Sequence, residues 1–274
     1  MNTTAAAQLE RWQRFRTNRN KALATRHGWL TLTSFQWLES RPAGVDLSPG
    51  LWSTDGTTAT LTAAAQDGLT LVETGEPVDG TITASLANEG SLMWVQSGGA
   101  DGQQVVVELA MRAGKYAIRT RDAGSPVFTG FDGVPVFDYR PDLVVEASFR
   151  PYPEPVDVPI STANPLVDGV HWSVGELVFR LPGEDHEFHL QAEEEKLGAL
   201  TVTFHDETNG DSTDDWRKVS TARPRPDGSV VLDFNRAINY PSAFTPYGTC
   251  PMPVKNNSLD YRIEAGEKDP MLTD

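Results

Sequence analysis

SLMWVQSGGADGQQVVVELAMRAGKYAIRTRD, residues 91–122, decides the fold class. Its runs at 91–96, 104–111 and 115–120 are short and rich in valine, isoleucine, leucine and aromatic residues, and the turn pairs Gly98-Gly99 and Asp101-Gly102 divide the first two. Glycine and aspartate tolerate the backbone geometry of tight hairpins, so apolar runs punctuated in this way read as antiparallel strands. The same grammar extends outward. Trp29-Leu30-Thr31-Leu32, Gln36-Trp37-Leu38 and the runs 58–62, 69–72 and 81–86 precede the stretch, with turn pairs Asp67-Gly68 and Asp79-Gly80. Leu143 to Phe149, 170–174, 176–181, 186–191 and Leu200 to His205 follow it. No repeat of fixed period joins them, and short strands with almost no helical periodicity between them predict a β-sandwich or barrel.

One helix is expected. Thr3 or Thr4 supplies a cap, and Leu9, Trp12, Phe15, Arg19 and Leu23 fall along one side of a helix running to about Leu23. Its apolar face is narrow, which suits packing onto a sheet; a partner-binding helix is the other reading. The expected architecture is therefore mostly β, with two packed antiparallel sandwich- or barrel-like subdomains. The helix takes residues 1–26, the first β subdomain 27–125, a proline- and aromatic-rich connecting segment 126–159, and the second β subdomain 160–274.

The chain has 274 residues with a formal charge of −15, 39% hydrophobic and 22% charged residues, the balance of a globular protein with an acidic surface. Such a surface repels polyphosphates, which excludes nucleic acid as an expected partner. No stretch reaches the ~20 apolar residues of a membrane span, and the opening MNTTAAAQLERWQRF lacks the basic-then-apolar layout of a signal peptide, so the expected location is cytoplasmic, away from membranes. Cys250 is the single cysteine, which leaves no intrachain disulfide and no multi-cysteine zinc site. Phosphate-cradling glycine loops and the G-x-S-x-G elbow are absent, so no cofactor is expected. His186 and His189 lie three apart on an expected strand and so point to opposite faces, which argues against a shared metal ion.

The most heavily specified stretch is Asp233 to Lys268, DFNRAINYPSAFTPYGTCPMPVKNNSLDYRIEAGEK. Strands at 230–235 and 259–263 would leave a connection far longer than the usual ~4–6 residues, and structureless connections beyond about 12–15 are usually functional or disordered. Pro241, Pro246, Pro251 and Pro253 stiffen this one, and Ile238, Tyr240, Phe244, Tyr247 and Met252 give it apolar anchors, so an ordered loop over 235–258 is expected. In the strand before it, Val230, Leu232 and Phe234 share one face and Asp233 and Asn235 the other, with Arg236 just beyond. These polar residues either contact a ligand or tie the loop down through its peptide groups. FHDETNG, residues 204–210, ends a strand in a polar turn; His205 or Asp206 could also face a pocket under the loop. Cys250, extended before Pro251, reads as a buried, inert thiol.

LDFNRAINYPSAF, TCPMPVKNNSL and IEAGEK together resemble the signature of a bacterial and archaeal family known only as a domain of unknown function. The likeness extends upstream through FHDETNG and the Arg217 neighbourhood to YAIRTRD and GWLTL. The family pattern falls on Arg217, Asp233, Asn235, Arg236, Asn239, Cys250, Pro251, Asn257 and Glu267. This chain departs from it at Asp214-Asp215-Trp216, where a tyrosine and glycines are usual, and at Ser242, where a second cysteine is usual. The resemblance implies family membership and no established activity.

Two functions follow as expectations. The first is binding of a small carboxylate or phosphate under the 235–258 loop, with Arg217 and Arg236 as guanidinium forks and Asp233, Asn235, Asn239 and Asn257 as further contacts. The second is a cofactor-free hydrolase using Asp233 or His205 as base and Cys250 as nucleophile. A purely structural or interaction role is the third.

Overall fold

Mostly β structure, in antiparallel sheets, and one long N-terminal helix make up the chain. The computed structural model describes residues 3–98 and 104–271, with side chains from residue 6 onward. The side chains of Thr3 and Thr4 and the turn residues Gly99, Asp101 and Gly102 lie outside the described residues. The chain divides into two units, Leu23–Phe131 and the discontinuous pair Met1–Ala22 with Asp132–Asp274. No helix among the described residues is long and apolar enough to cross a membrane.

Helix α1 spans Thr3–Leu23. In the Leu23–Phe131 unit, β1 (Leu32–Trp37), β5 (Thr70–Leu71), β7 (Ser91–Gly98), β8 (Gln104–Arg112) and β9 (Lys115–Asp122) form a sheet in the order β1-β9-β8-β7-β5. A second sheet runs β2-β3-β4-β6, from β2 (Ala43–Val45), β3 (Ser48–Thr54), β4 (Ala59–Ala63) and β6 (Gly80–Ala84). Trp52 of β3 meets Trp94 of β7 edge-on at 5.7 Å, and with Leu61, Leu109 and Ile118 they fill the space between the two sheets. The expected strand at Trp29–Leu32 is instead a 3₁₀ turn, Trp29–Thr31, in which the Thr31 hydroxyl donates to the Gly28 carbonyl at 2.7 Å. A side chain that satisfies the turn's backbone in this way competes with a strand ladder. A short helix α2 (Pro126–Thr129), capped by Ser125, closes the unit.

The larger unit is built on one sheet of β10 (Val144–Ile160), β11 (Gly169–Phe179), β12 (Phe188–Glu194), β13 (Leu200–Asp206), β14 (Arg217–Ser220), β15 (Ser229–Asp233), β16 (Ile238–Asn239) and β17 (Ser258–Leu259). The order is β15-β10-β11-β12-β13-β14-β16, with β17 added in parallel to β13. Residues 126–159 are thus not simply a connecting segment: those from Val144 onward belong to β10, which pairs with both β11 and β15. Pro153 and Pro155 are tolerated because the ladder with β11 breaks between Pro151 and Val156. Gly175 faces this irregularity, and a Cβ there would lie 2.5 Å from the Arg150 carbonyl oxygen, so the close approach of the two backbones requires glycine. The two expected strands at 170–174 and 176–181 are one, β11. The expected strand at 259–263 shrinks to β17, because the Ile263 N–H and carbonyl are taken by the side chains of Asp206 and Arg217.

Strand alternation directs Val230 and Leu232 into the core, and Phe234, just past the end of β15, follows them. Phe234 is fully buried against Phe204 at 5.6 Å and Phe179 at 5.7 Å. Phe234→Ala should therefore destabilise the protein by about 3–5 kcal/mol, measured as a fall in the urea midpoint at unchanged m-value. A loss below ~1 kcal/mol would show that this ring does not anchor the core.

Candidate functional site

β13 and β14 are neighbours, and they place Asp206 and Arg217 inside the larger unit. Arg217 is 0% exposed. One terminal nitrogen donates to Asp206 Oδ2 at 2.7 Å and the Ile263 carbonyl at 2.9 Å; the other donates to the carbonyls of Ala265 at 2.6 Å and Glu267 at 3.1 Å. The second oxygen of Asp206 accepts from the N–H groups of Thr208 at 2.8 Å and Ile263 at 3.3 Å. The guanidinium expected to receive an anionic ligand thus closes on the chain itself, tying the 263–267 backbone to the sheet. His205, beside it, is bonded through Nδ1 to the Asp215 carbonyl oxygen at 2.8 Å.

The other asparagines are ties as well. Asn235 sits in a 3₁₀ turn, donates through Nδ2 to the Arg140 carbonyl at 2.8 Å, and accepts the Arg140 N–H at 2.6 Å. Asn257 crosslinks two strands, donating to the carbonyls of Gln191 and Thr203 at 2.9 Å each and accepting from the Gln191 N–H at 2.8 Å. Asn239 donates its side-chain amide to the Lys268 carbonyl at 2.8 Å and its backbone N–H to Glu267 Oε2 at 2.7 Å. Glu267 is fully buried and also accepts from Arg16 at 2.8 Å and Arg19 at 3.0 Å, which fastens α1 to the sheet. Gly266 precedes it with φ of +79°, and a Cβ there would meet the Ala237 carbonyl oxygen at 2.5 Å, so glycine is required to deliver Glu267.

The long loop is ordered. Its Cys250 carbonyl accepts from the Ala163 N–H at 2.8 Å, and the Met252 N–H donates to the Ser161 carbonyl at 3.0 Å. Beneath it lies a cavity of about 580 Å³, bounded by loop residues Ser242, Thr245, Pro246 and Met252, the 161–168 turn, and Asp214-Asp215-Trp216. Asp168, Asp214 and Asp215 are among the residues that line it, and none of the described lining residues is a lysine or arginine. Burial, reinforced by Asp215 and Asp269, lifts the Asp214 carboxyl to about 6, against the hydrogen bond that it accepts from the Asp215 backbone. Cys250, 7% exposed, packs with Trp216 and Tyr240.

Asp233 and Arg236 lead elsewhere. They line a cleft of about 560 Å³ beside α1, together with Arg11, Trp12, Arg14 and Phe15 of the helix and Tyr139. The Arg236 guanidinium lies over the Phe15 ring at 4.5 Å, and Trp12 meets Tyr139 at 5.6 Å. Trp12 Nε1 donates to the Asn235 carbonyl at 2.9 Å, fixing that wall. Burial raises the Asp233 carboxyl above the ordinary range despite hydrogen bonds from Asn235 and the charge of Arg236. The hydrolase set is therefore dispersed: Asp233 faces the α1 cleft, whereas Cys250 packs under the loop. Arg11 and Arg14 escaped the sequence reading, although Arg11, Phe15 and Asn18 at i, i+4 and i+7 mark one helix face. His186 and His189 are held separately, at 3.4 Å from Glu184 and 3.1 Å from Glu176, and among the described residues no group of three histidine, cysteine or acidic side chains is placed to hold a metal ion.

Two outcomes test these assignments. Arg217→Lys keeps the charge but cannot span Asp206 and three carbonyls, and should cost about 3 kcal/mol in chemical denaturation while leaving ligand affinity of the folded fraction unchanged. For Asp214 the folded value lies above the unfolded one of about 3.9, so its protonation stabilises the fold at low pH, and that contribution is lost as pH rises from about 4 to 6. Asp214→Asn should flatten the stability profile across that window and raise stability at pH 7 by about 1 kcal/mol, the linkage value discounted for partial exposure. Midpoints of urea unfolding at several pH values measure both.

A search of curated proteins finds no match. Among solved structures, the solution NMR structure of an uncharacterized protein from Haloarcula marismortui matches at 30% identity, covering 52% of this chain and 80% of that one, with a TM-score of 0.43. The family model described as "Protein of unknown function (DUF1684)" matches residues 129–268, the stretch that holds β10 to β17, the long loop and the Arg217 and Glu267 ties. The chain belongs to that family.

Proposed function

We propose that the protein binds a small organic anion, a carboxylate or phosphate carried on a flat apolar body, in the cleft beside α1. The observation that carries the reading is the pairing of guanidinium groups with an aromatic wall. Arg11 and Arg236 form no ion pair among the described residues, Arg14 has only a loose exposed partner in Glu10 at 3.4 Å, and Asp233 is the acidic residue lining the cleft. On a chain of charge −15, such a local excess of positive charge is set against the general field, so an anion is held by short contacts and not by long-range attraction. Trp12, Phe15 and Tyr139 supply faces for an apolar body, and the volume falls within the range of small-molecule sites. Arg236, held over Phe15, keeps its planar fork oriented at little entropic cost. The lone thiol is in keeping with a cytosolic setting for this binding.

Calorimetric titration with phenyl phosphate and 4-hydroxyphenylacetate tests the reading. Arg236→Ala should weaken binding about tenfold, or about 1.4 kcal/mol, without lowering the melting temperature appreciably. Affinity should rise as pH falls through the raised Asp233 titration, because protonation removes a negative charge from the cleft, and Asp233→Asn should tighten binding at pH 7 and abolish that dependence. Failure of every aromatic carboxylate and phosphate ester to bind, or affinity indifferent to Arg236, would overturn the proposal.

A further inference from the structure

A simple anion leaves one group of the α1 cleft unexplained. Asp233 ends β15 and caps the 3₁₀ turn Phe234–Arg236, and one oxygen suffices for the cap: Oδ1 accepts the Asn235 backbone N–H at 3.1 Å and its side-chain amide at 2.9 Å. Oδ2 accepts from no donor among the described residues. It is nevertheless open to the cleft, since Asp233 is only half-buried, lines the cleft wall and has no sealed, unpartnered oxygen. Arg236, three residues further on, is turned over the Phe15 ring and forms no ion pair with it. An uncharged asparagine or serine would cap the turn equally well, so the turn accounts for Oδ1 and not for the second, charged oxygen. Beside Arg11, Arg14 and Arg236, that oxygen repels the acid group of a ligand unless the same ligand carries a donor for it.

We infer that the ligand of this cleft is a zwitterion, a flat apolar body carrying a protonated amine as well as its acid group, with the amine received by Asp233 Oδ2. The inference rests on the anion-cleft reading and adds the ligand's second polar end. The ammonium donates to Oδ2 and brings a Coulomb attraction that a ligand hydroxyl lacks. The acid group meets Arg236 and Arg11, and the ring lies against Trp12, Phe15 and Tyr139. Asp233 and Arg236 flank one 3₁₀ turn and line the same wall, so opposite charges are offered close enough together for one small molecule to span. Burial raises the Asp233 carboxyl even with Arg236 nearby, and a bound ammonium would favour its ionised form.

Calorimetric titration of the full chain at pH 7.5 tests this with two zwitterions, phenylalanine and 4-(aminomethyl)benzoate. Their controls lack the amine (3-phenylpropanoate and 4-methylbenzoate) or the acid (phenethylamine and benzylamine). At least one zwitterion should bind about tenfold tighter than both of its counterparts. Asp233→Asn keeps the cap oxygen and should move the two classes in opposite directions, weakening that zwitterion about tenfold while tightening its amine-free counterpart. In the unaltered chain, zwitterion affinity should fall as pH drops through the Asp233 titration, opposite to the rise expected for simple anions; Arg11, Arg14, Tyr139 and Arg236 are the other ionisable groups facing it in the cleft. Amine-free anions that bind in an Arg236-dependent way, with neither zwitterion binding more tightly, would overturn this inference and leave the anion cleft standing. Binding of no anion of either kind would overturn both. A zwitterion held equally well by the Asp233→Asn variant would also overturn the assignment of its amine to Oδ2.

Discussion

The Glu267 carboxylate is the point on which the larger unit depends. Itself without exposure to solvent, it accepts from two arginines of α1 and from the backbone of Asn239. A buried charge of this kind is tolerated only when every lone pair finds a donor, and removing a single partner leaves an uncompensated ion in a medium of low polarity. Such a group contributes little net stability over a well-packed apolar alternative. What it contributes is direction: helix, loop and sheet meet in one arrangement because no other arrangement satisfies the carboxylate. Arg217 and Asp206 act in the same way for the 263–267 backbone, and a chain without regular ladder there is held by side chains instead.

This division of labour explains which parts of the molecule were legible in the sequence. Strand runs and turn pairs are local signals, and β7, β8, β9 and β13 lie close to the runs that predict them. The alternation of Val230 and Leu232 also reads directly onto the core. Prolines and aromatics make residues 126–159 read as a linker, whereas β10 carries Pro153 and Pro155 where its ladder with β11 is interrupted, opposite the close backbone approach at Gly175. The polar motif residues were recognised as special without their role being visible. An arginine on a strand looks the same whether it faces a ligand or the carbonyls of a distant segment, and the three carbonyls that consume Arg217 lie 46 to 50 residues away.

The two cavities show the same limit from the other side. Their walls are assembled from residues remote in sequence: Arg11 with Arg236 in one, Asp168 with Asp214 and Ser242 in the other. The long loop does border a cavity, which Pro246 and Met252 line together with Ser242 and Thr245. The acidic character of that cavity, however, comes from Asp168 and from Asp214-Asp215, just before β14 and outside the loop. Net charge could not decide it, because a total of −15 fixes neither where carboxylates are sparse nor where guanidinium groups gather.

The order of segments along the chain adds a temporal dimension. The helix that supplies Arg16 precedes its acceptor Glu267 by 251 residues, and the entire Leu23–Phe131 unit is made between them. At translation rates of about 5–20 residues per second, Arg16 is synthesised roughly 12 to 50 s before its partner exists. The inserted unit draws its strand pairs from its own stretch of chain and can complete its sheets in that interval. The unit that surrounds it in sequence must keep α1 waiting on the nascent chain, its docking surface unmatched, until the segment that carries Glu267 has been made.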